Sequence, residues 1–152
     1  MRSAVLALFS LLMAGHLWAQ DRIDFPTQPL RIVTASGKIH PFTVELADTS
    51  ERRSRGLMFR HALAADRGML FDFAETRRVT MWMSNTFIPL DMLFIKKDGV
   101  VATLRQDAVP HSEALIDSGV PVAFVLELPA GTVERLEIAP GDRVEAPAIG
   151  GP

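Results

Sequence analysis

Most side chains in this chain that could recognise a ligand fall in one short stretch, Met81-Trp82-Met83-Ser84-Asn85-Thr86-Phe87-Ile88-Pro89-Leu90-Asp91. Trp82 offers a broad flat surface and a single N–H donor, which suits stacking on a ligand and orienting it. Asn85 and Thr86 add an amide and a hydroxyl where the strand carrying them should end. Asp91 stands at the mouth of the apolar run Ile88 to Ile95, where a buried carboxylate needs a partner. Arg55 or Arg60 could supply that partner as a bidentate pair. The candidate ligand-binding set is therefore Arg55, Arg60, Trp82, Asn85, Thr86 and Asp91. It suits a small polar molecule, a sugar or an anionic envelope component among them. The competing reading is architectural: Trp82 packs under a loop, Asn85 caps a turn and Asp91 accepts backbone N–H groups as a buttress.

Other chemistries find less support. There is no Gly-x-Ser-x-Gly elbow, no Gly-rich phosphate loop, no histidine pair at zinc spacing and no cysteine. No catalytic residue, metal ligand or cofactor is assigned on this basis. An envelope hydrolase could use Asp91, with Glu127 as a second carboxylate, but nothing in the spacing places the two together. Met81 and Met83 with one of His40, His61 or His111 could hold a soft ion such as Cu(I). If the two methionines share a strand face, Trp82 points away from them, and methionine more often fills core gaps.

Charge is unevenly distributed. Residues 52 to 78 hold seven arginines against Asp66, Asp72 and Glu75, whereas from residue 106 onward eight acids face only Arg135 and Arg143. The arginine-rich segment could create an anion site, or its Arg52–Arg60 part could dock on another envelope protein. Alternatively the two ends of the chain attract each other or simply stay solvated.

The N-terminus has one cation, Arg2, an apolar run from Ala4 to Ala14, and Ala19 as a small residue at a cleavage position, the three parts of a secretory signal peptide. The run is shorter than the roughly 20 apolar residues of a membrane helix. Residues 1–19 are thus expected to be a signal peptide, the protein to be periplasmic or secreted, and no membrane insertion to follow cleavage. The remaining chain, with 15 cations and 18 anions, lacks the basic excess that duplex binding requires. Without cysteine it carries no disulfide, so packing alone must stabilise it.

The elements that must position these residues read mainly as short strands. After an extended lead-in over 20–29, a single globular domain is expected over 30–148. Leu30–Thr34 and Ile39–Leu46 form a hairpin around Ser36-Gly37. Asp48 and Glu51 resemble a capping box that opens a short surface helix carrying Arg52, Arg53 and Arg55. Further strands are expected over Gly68–Phe73, Val79–Met83, Ile88–Ile95, Val100–Leu104, Val122–Leu128 and Arg143–Glu145. A second short helix, capped by Thr132, runs to Leu136. Seven to eight strands and one or two short helices predict a β-rich α+β domain, as a partly closed barrel or two packed sheets.

Several longer motifs, taken in order, resemble one family. They are Arg55-Gly56-Leu57-Met58-Phe59-Arg60, Gly68-Met69-Leu70-Phe71, Met81 to Thr86, Ile88-Pro89-Leu90-Asp91-Met92, and Val125-Leu126-Glu127-Leu128-Pro129-Ala130-Gly131. This pattern is similar to the bacterial and archaeal domain of unknown function 192, over about Leu30 to Val144. The resemblance implies a compact α+β domain, some members carrying export signals, and no established activity. Its pattern includes Arg55, Trp82, Asn85, Thr86 and Asp91. Many members carry lysine where this chain has Ser84, so a cation at that point is absent here or supplied by an arginine.

Overall fold

The computed structural model describes residues 23–150; the expected signal peptide over 1–19 lies outside the described residues. Nine strands and two short helices are found among them. In chain order they are β1 (Thr27–Val33), β2 (Ile39–Ala47), α1 (Ser50–Arg55), β3 (Arg67–Arg77), β4 (Thr80–Met81), β5 (Leu90–Ile95), β6 (Val101–Ala108), β7 (Ile116–Asp117), β8 (Val122–Pro129), α2 (Thr132–Leu136) and β9 (Arg143–Glu145). Seven strands form one curled sheet in the order β6-β5-β8-β3-β2-β1-β9, and β4 pairs with β7 in a separate ribbon. The sheet is a half-barrel whose edge strands meet at one end. There Val101 N donates to Asp142 O at 2.8 Å and Val144 N to Gly99 O at 2.8 Å. The β-rich α+β architecture with partial closure is as the strand pattern predicts.

Two apolar clusters sandwich the middle of the sheet. One draws residues from all seven strands, among them Ile32, Val44, Leu70, Leu93, Leu126 and Val144, and so fills the concave side. The other joins alternate residues of β3, β5 and β8, such as Met69, Phe71, Met92, Phe94 and Val125, to Leu57, Val79 and Met83. Side chains alternate along a strand, so covering both faces makes β5 and β8 continuous apolar runs. Every residue of β5 is buried, and so is β8 up to Leu128.

The local corrections have identifiable causes. Thr49, not Asp48, caps α1, its hydroxyl accepting from Arg52 N at 3.2 Å, while Asp48 pairs with the Arg52 guanidinium at 2.7 Å. The expected strand Val79–Met83 shortens to β4 because Met83 N turns to Ser112 O at 3.0 Å and a turn begins at Ser84. Thr132 does not cap α2; its hydroxyl donates back to Pro129 O at 2.6 Å and Gly131 holds the cap position. The hairpin starts earlier than Leu30, since Thr27 already pairs with Glu45.

One pairing was not apparent in the sequence: β2 and β3 run parallel, joined by a crossover through α1. That crossover lays α1 and its following turn across the outer cluster, where the candidate site lies. Gly68 permits β3 to approach β8, because a Cβ there would sit 2.6 Å from the Glu127 carbonyl oxygen.

Candidate functional site

A cleft of about 350 Å³ opens between α1 with its exit turn, the far half of β3, and β4. Its walls mix apolar side chains, Leu57, Met58, Phe71, Phe73 and Met81, with the hydroxyls of Ser50, Ser54, Thr80 and Thr86, and Trp82 stands at its mouth. Gly56 closes α1 at φ +48° and ψ −139°, and this turns the chain sharply enough to set Leu57 and Met58 against the sheet. A Cβ on Gly56 would come 3.1 Å from the Phe71 ring.

The floor of the cleft holds Glu127. It lies opposite Met69 of β3 and Met92 of β5, on the outer face of the sheet. The residue is 4% exposed and lines the cleft, and no hydrogen bond or ion pair from a described residue reaches its carboxyl group, although the side-chain atoms sealed away without any partner are Gln28 Nε2 and His40 Nε2, not the Glu127 oxygens. Burial without compensation penalises the charged form, and this pushes the Glu127 pKa up to about 8. At neutral pH the group is therefore mostly a neutral carboxylic acid, able to donate as well as accept.

Three guanidinium groups stand around the rim. Arg53 is partly tied down, donating to the carbonyls of Asp48 at 2.8 Å and Asp72 at 2.7 Å. Arg77 pairs with Glu75 at 3.0 Å and lies 5.1 Å from the Phe73 ring, with Arg53 6.0 Å from the same ring. Arg55 rests 4.7 Å from the centre of Phe59, and no described carboxylate forms an ion pair with it. Guanidiniums on aromatic faces are held in place without being neutralised.

Trp82 follows β4 and is 51% exposed, whereas Val79 and Met83 on the other face are buried. Thr86 is 6% exposed, lines the cleft and donates to Ser84 O at 3.3 Å. Arg55, Trp82 and Thr86 are thus brought together around one space. The other three candidates lie elsewhere. Asn85 adopts φ +54°, a left-handed conformation that asparagine tolerates, and its carbonyl accepts from Phe59 N at 2.9 Å. It ties the turn after α1 to the turn after β4.

Asp91 is fully buried on the opposite face of the sheet, because it pairs with Leu128 while Glu127 pairs with Met92. Its two oxygens accept from Asp107 N at 3.0 Å and from Val133 N, in the first turn of α2, at 2.8 Å. The ion pair expected with Arg55 or Arg60 is not formed: strand alternation sends Asp91 toward α2, and backbone donors satisfy it. The same alternation separates the carboxylates of Asp91 and Glu127. Arg60 pairs with Glu45, lies 5.6 Å from the Phe25 ring and lines a separate recess of about 230 Å³.

The residue that sequence reasoning undervalued is Glu127, considered there only as a companion to Asp91. The available signal was its position as the one charge in the apolar run Val122 to Leu128. As for copper, Met83 is sealed in the outer cluster, and His61 and His111 each lie 5.0 Å from the Phe87 ring. Among the described residues no group of three or more His, Cys, Asp or Glu could hold a metal ion.

Residues 31–146 match the family DUF192, described as "Uncharacterized ACR". The chain belongs to this family. Two crystal structures share the fold at substantial identity. One, from Sinorhizobium meliloti 1021 and described as a "putative transcription regulator", is 56% identical over 83% of this chain and 98% of its own, with a TM-score of 0.82. The other, a protein of unknown function from Novosphingobium aromaticivorans DSM 12444, is 41% identical over 77% of this chain and 83% of its own, with a TM-score of 0.74. No curated protein matches this DUF192 chain.

Proposed function

We propose that this DUF192 protein is an exported domain that binds a small polar ligand in the cleft between α1 and β4. The observation that carries the reading is Glu127, an acid 4% exposed that lines an open cleft and meets no partner among the described residues. Such a carboxyl group takes its partner from whatever occupies the cleft, and a ligand with matching donors and acceptors would satisfy it. Trp82 supplies a stacking surface at the mouth, Thr86 a hydroxyl and Arg55 an uncommitted cation. A volume of about 350 Å³ is near the lower end of the roughly 300–1,000 Å³ usual for ligand sites, so the occupant is metabolite-sized. Export rests on the signal-like segment over residues 1–19. The net charge of −2 provides no general attraction to duplex phosphates, so the description of the Sinorhizobium relative is not extended to this chain.

The test is a titration of sugars, cell-wall fragments, organic anions and amines, followed by tryptophan emission, with Trp82→Phe as the background. Saturable shifts lost in Trp82→Phe are expected. A flat response to the whole panel, with the protein folded, removes the reading.

One observation favours a second reading, an accessory module that docks on another envelope protein. The β4–β7 ribbon pairs Met81 with Ile116, and the next positions outward are Trp82 and Leu115, 51% and 73% exposed. Co-purification of a partner that Leu115→Ser abolishes, without any small-molecule response, would favour it.

A further inference from the structure

We propose that the cleft takes a small organic monoanion with a neutral amide or carboxyl group at its other end, the anion held by Arg55 at the rim and the neutral end paired with the Glu127 carboxyl on the floor. This rests on the ligand-binding reading above and names the class of ligand.

The floor presents one carboxyl group, 4% exposed and without a partner among the described residues, between Met69 and Met92. A protonated carboxyl is matched by an amide or a second carboxyl, each of which accepts its O–H and returns a donor to its carbonyl oxygen. The rim presents Arg53, Arg55 and Arg77, and among the described residues Glu75 is the only acid that pairs with any of them. Among the described residues these arginines, from α1 and β3, are also the only charged groups besides Glu127 that line the cleft; β4 contributes Thr80 and Met81, Trp82 follows it, and the neighbours of Glu127 on β3 and β5 are methionines. The rim therefore attracts an anion, and Arg55, stacked on Phe59, makes no ion pair with a described residue.

The charges weigh against cationic and doubly charged ligands. An amine or diamine would have to pass three guanidiniums. A neutral polyol could use the hydroxyls of Ser50, Ser54, Thr80 and Thr86 but would leave the rim charges unmatched. A dianion would place a second buried carboxylate against Glu127 with one proton to share, so its inner end must be protonated or amidated. A short methylene chain or flat ring between the ends fits the aromatic walls and Trp82.

The experiment is calorimetric titration of the full chain with the monoamides of succinate, glutarate and adipate, alongside the diols and diamines of matching length, from pH 6 to 9. The carboxylates of these probes stay ionised throughout that range, so any pH effect belongs to the protein. We expect at least one monoamide to bind and the diols and diamines to bind at least tenfold more weakly. Affinity should fall about tenfold between pH 7 and 9 as Glu127, with its pKa near 8, ionises. Glu127→Gln keeps a neutral donor and acceptor, so it should bind at pH 6 and lose the pH dependence. Arg55→Gln should weaken binding at every pH. A diol or diamine binding as tightly as the monoamides, or a monoamide affinity equal at pH 6 and pH 9 in the native protein, overturns this ligand class while leaving a ligand-binding cleft in place. Silence from every probe and from the wider panel removes both. The native pH profile decides the matter alone if Glu127→Gln does not fold.

Discussion

Replacing Glu127 by glutamine should stabilise the unliganded protein, and the gain should depend on pH in a defined way. In the unfolded chain the carboxyl titrates near 4.5, and burial in the folded protein raises this to about 8. Below pH 4.5 both states carry the proton and the site contributes no pH dependence. Between the two values only the folded state holds it, so stability falls by about 1.4 kcal/mol per pH unit. The loss reaches about 3 kcal/mol at pH 7 and approaches about 5 kcal/mol above pH 8, where both states are ionised. Glutamine, neutral throughout, escapes this term. Its amide finds no better partners than the acid does, a correction of about 1 kcal/mol. Urea unfolding at pH 5, 7 and 8.5 measures the effect. With m of about 1–3 kcal/mol/M and a net gain of about 2 kcal/mol, the midpoint of Glu127→Gln at pH 7 should exceed that of the native protein by about 0.7–2 M. The two should converge toward pH 5. A native midpoint level from pH 5 to 8, or a less stable Glu127→Gln at pH 7, would show that the carboxyl has partners or solvent and would refute the reasoning.

Asp91→Ala removes the acceptor of two backbone N–H groups, one of them in the first turn of α2, and should cost about 3 kcal/mol in urea unfolding. Ligand affinity at the cleft should be unchanged, because Asp91 faces the other side of the sheet. Gly68→Ala drives a methyl group to 2.6 Å from the Glu127 carbonyl and should destabilise by about 2–3 kcal/mol, with a shifted β3–β8 register detectable by amide exchange. Trp82→Phe, at a half-exposed position, should leave stability within about 0.5 kcal/mol while weakening whatever ligand the titrations identify.

The sequence made the strands legible because their signals are local. Alternation and turn residues mark β1 and β2, and an unbroken apolar run marks β5 and β8. What it could not show depends on which elements meet. The parallel β2–β3 pair is set by a crossover over α1, and no spacing in the chain announces it. For the site, the exposed tryptophan was readable from strand alternation, and Arg55 and Thr86 share its cleft. Asp91 was misplaced for a reason one residue wide. In an apolar strand covered on both sides, hydrophobicity does not say which face a lone acid takes, and the cross-strand register alone sends Asp91 toward α2. The same ambiguity concealed Glu127, whose importance lies in facing the cleft.

The two buried acids of this sheet set the terms of the functional argument. Asp91 and Glu127 occupy neighbouring, interior strands, both in apolar surroundings, and both are almost wholly buried. Asp91 meets two N–H donors, so its burial is compensated within the fold and it serves as a brace between β5, β6 and α2. Glu127 meets none among the described residues, although Met69 and Met92 flank it and a methionine or leucine in its place would extend the apolar cluster without the pH-dependent loss. Structural needs account for the first acid and leave the second unexplained. A carboxyl group whose folding cost is uncompensated, placed where a cleft could admit a small molecule beneath a ring of guanidiniums, would find its partner in the molecule that we propose binds there. Ligand binding would then return part of the stability that Glu127 removes, so saturation should raise the urea midpoint of the native protein most at neutral pH.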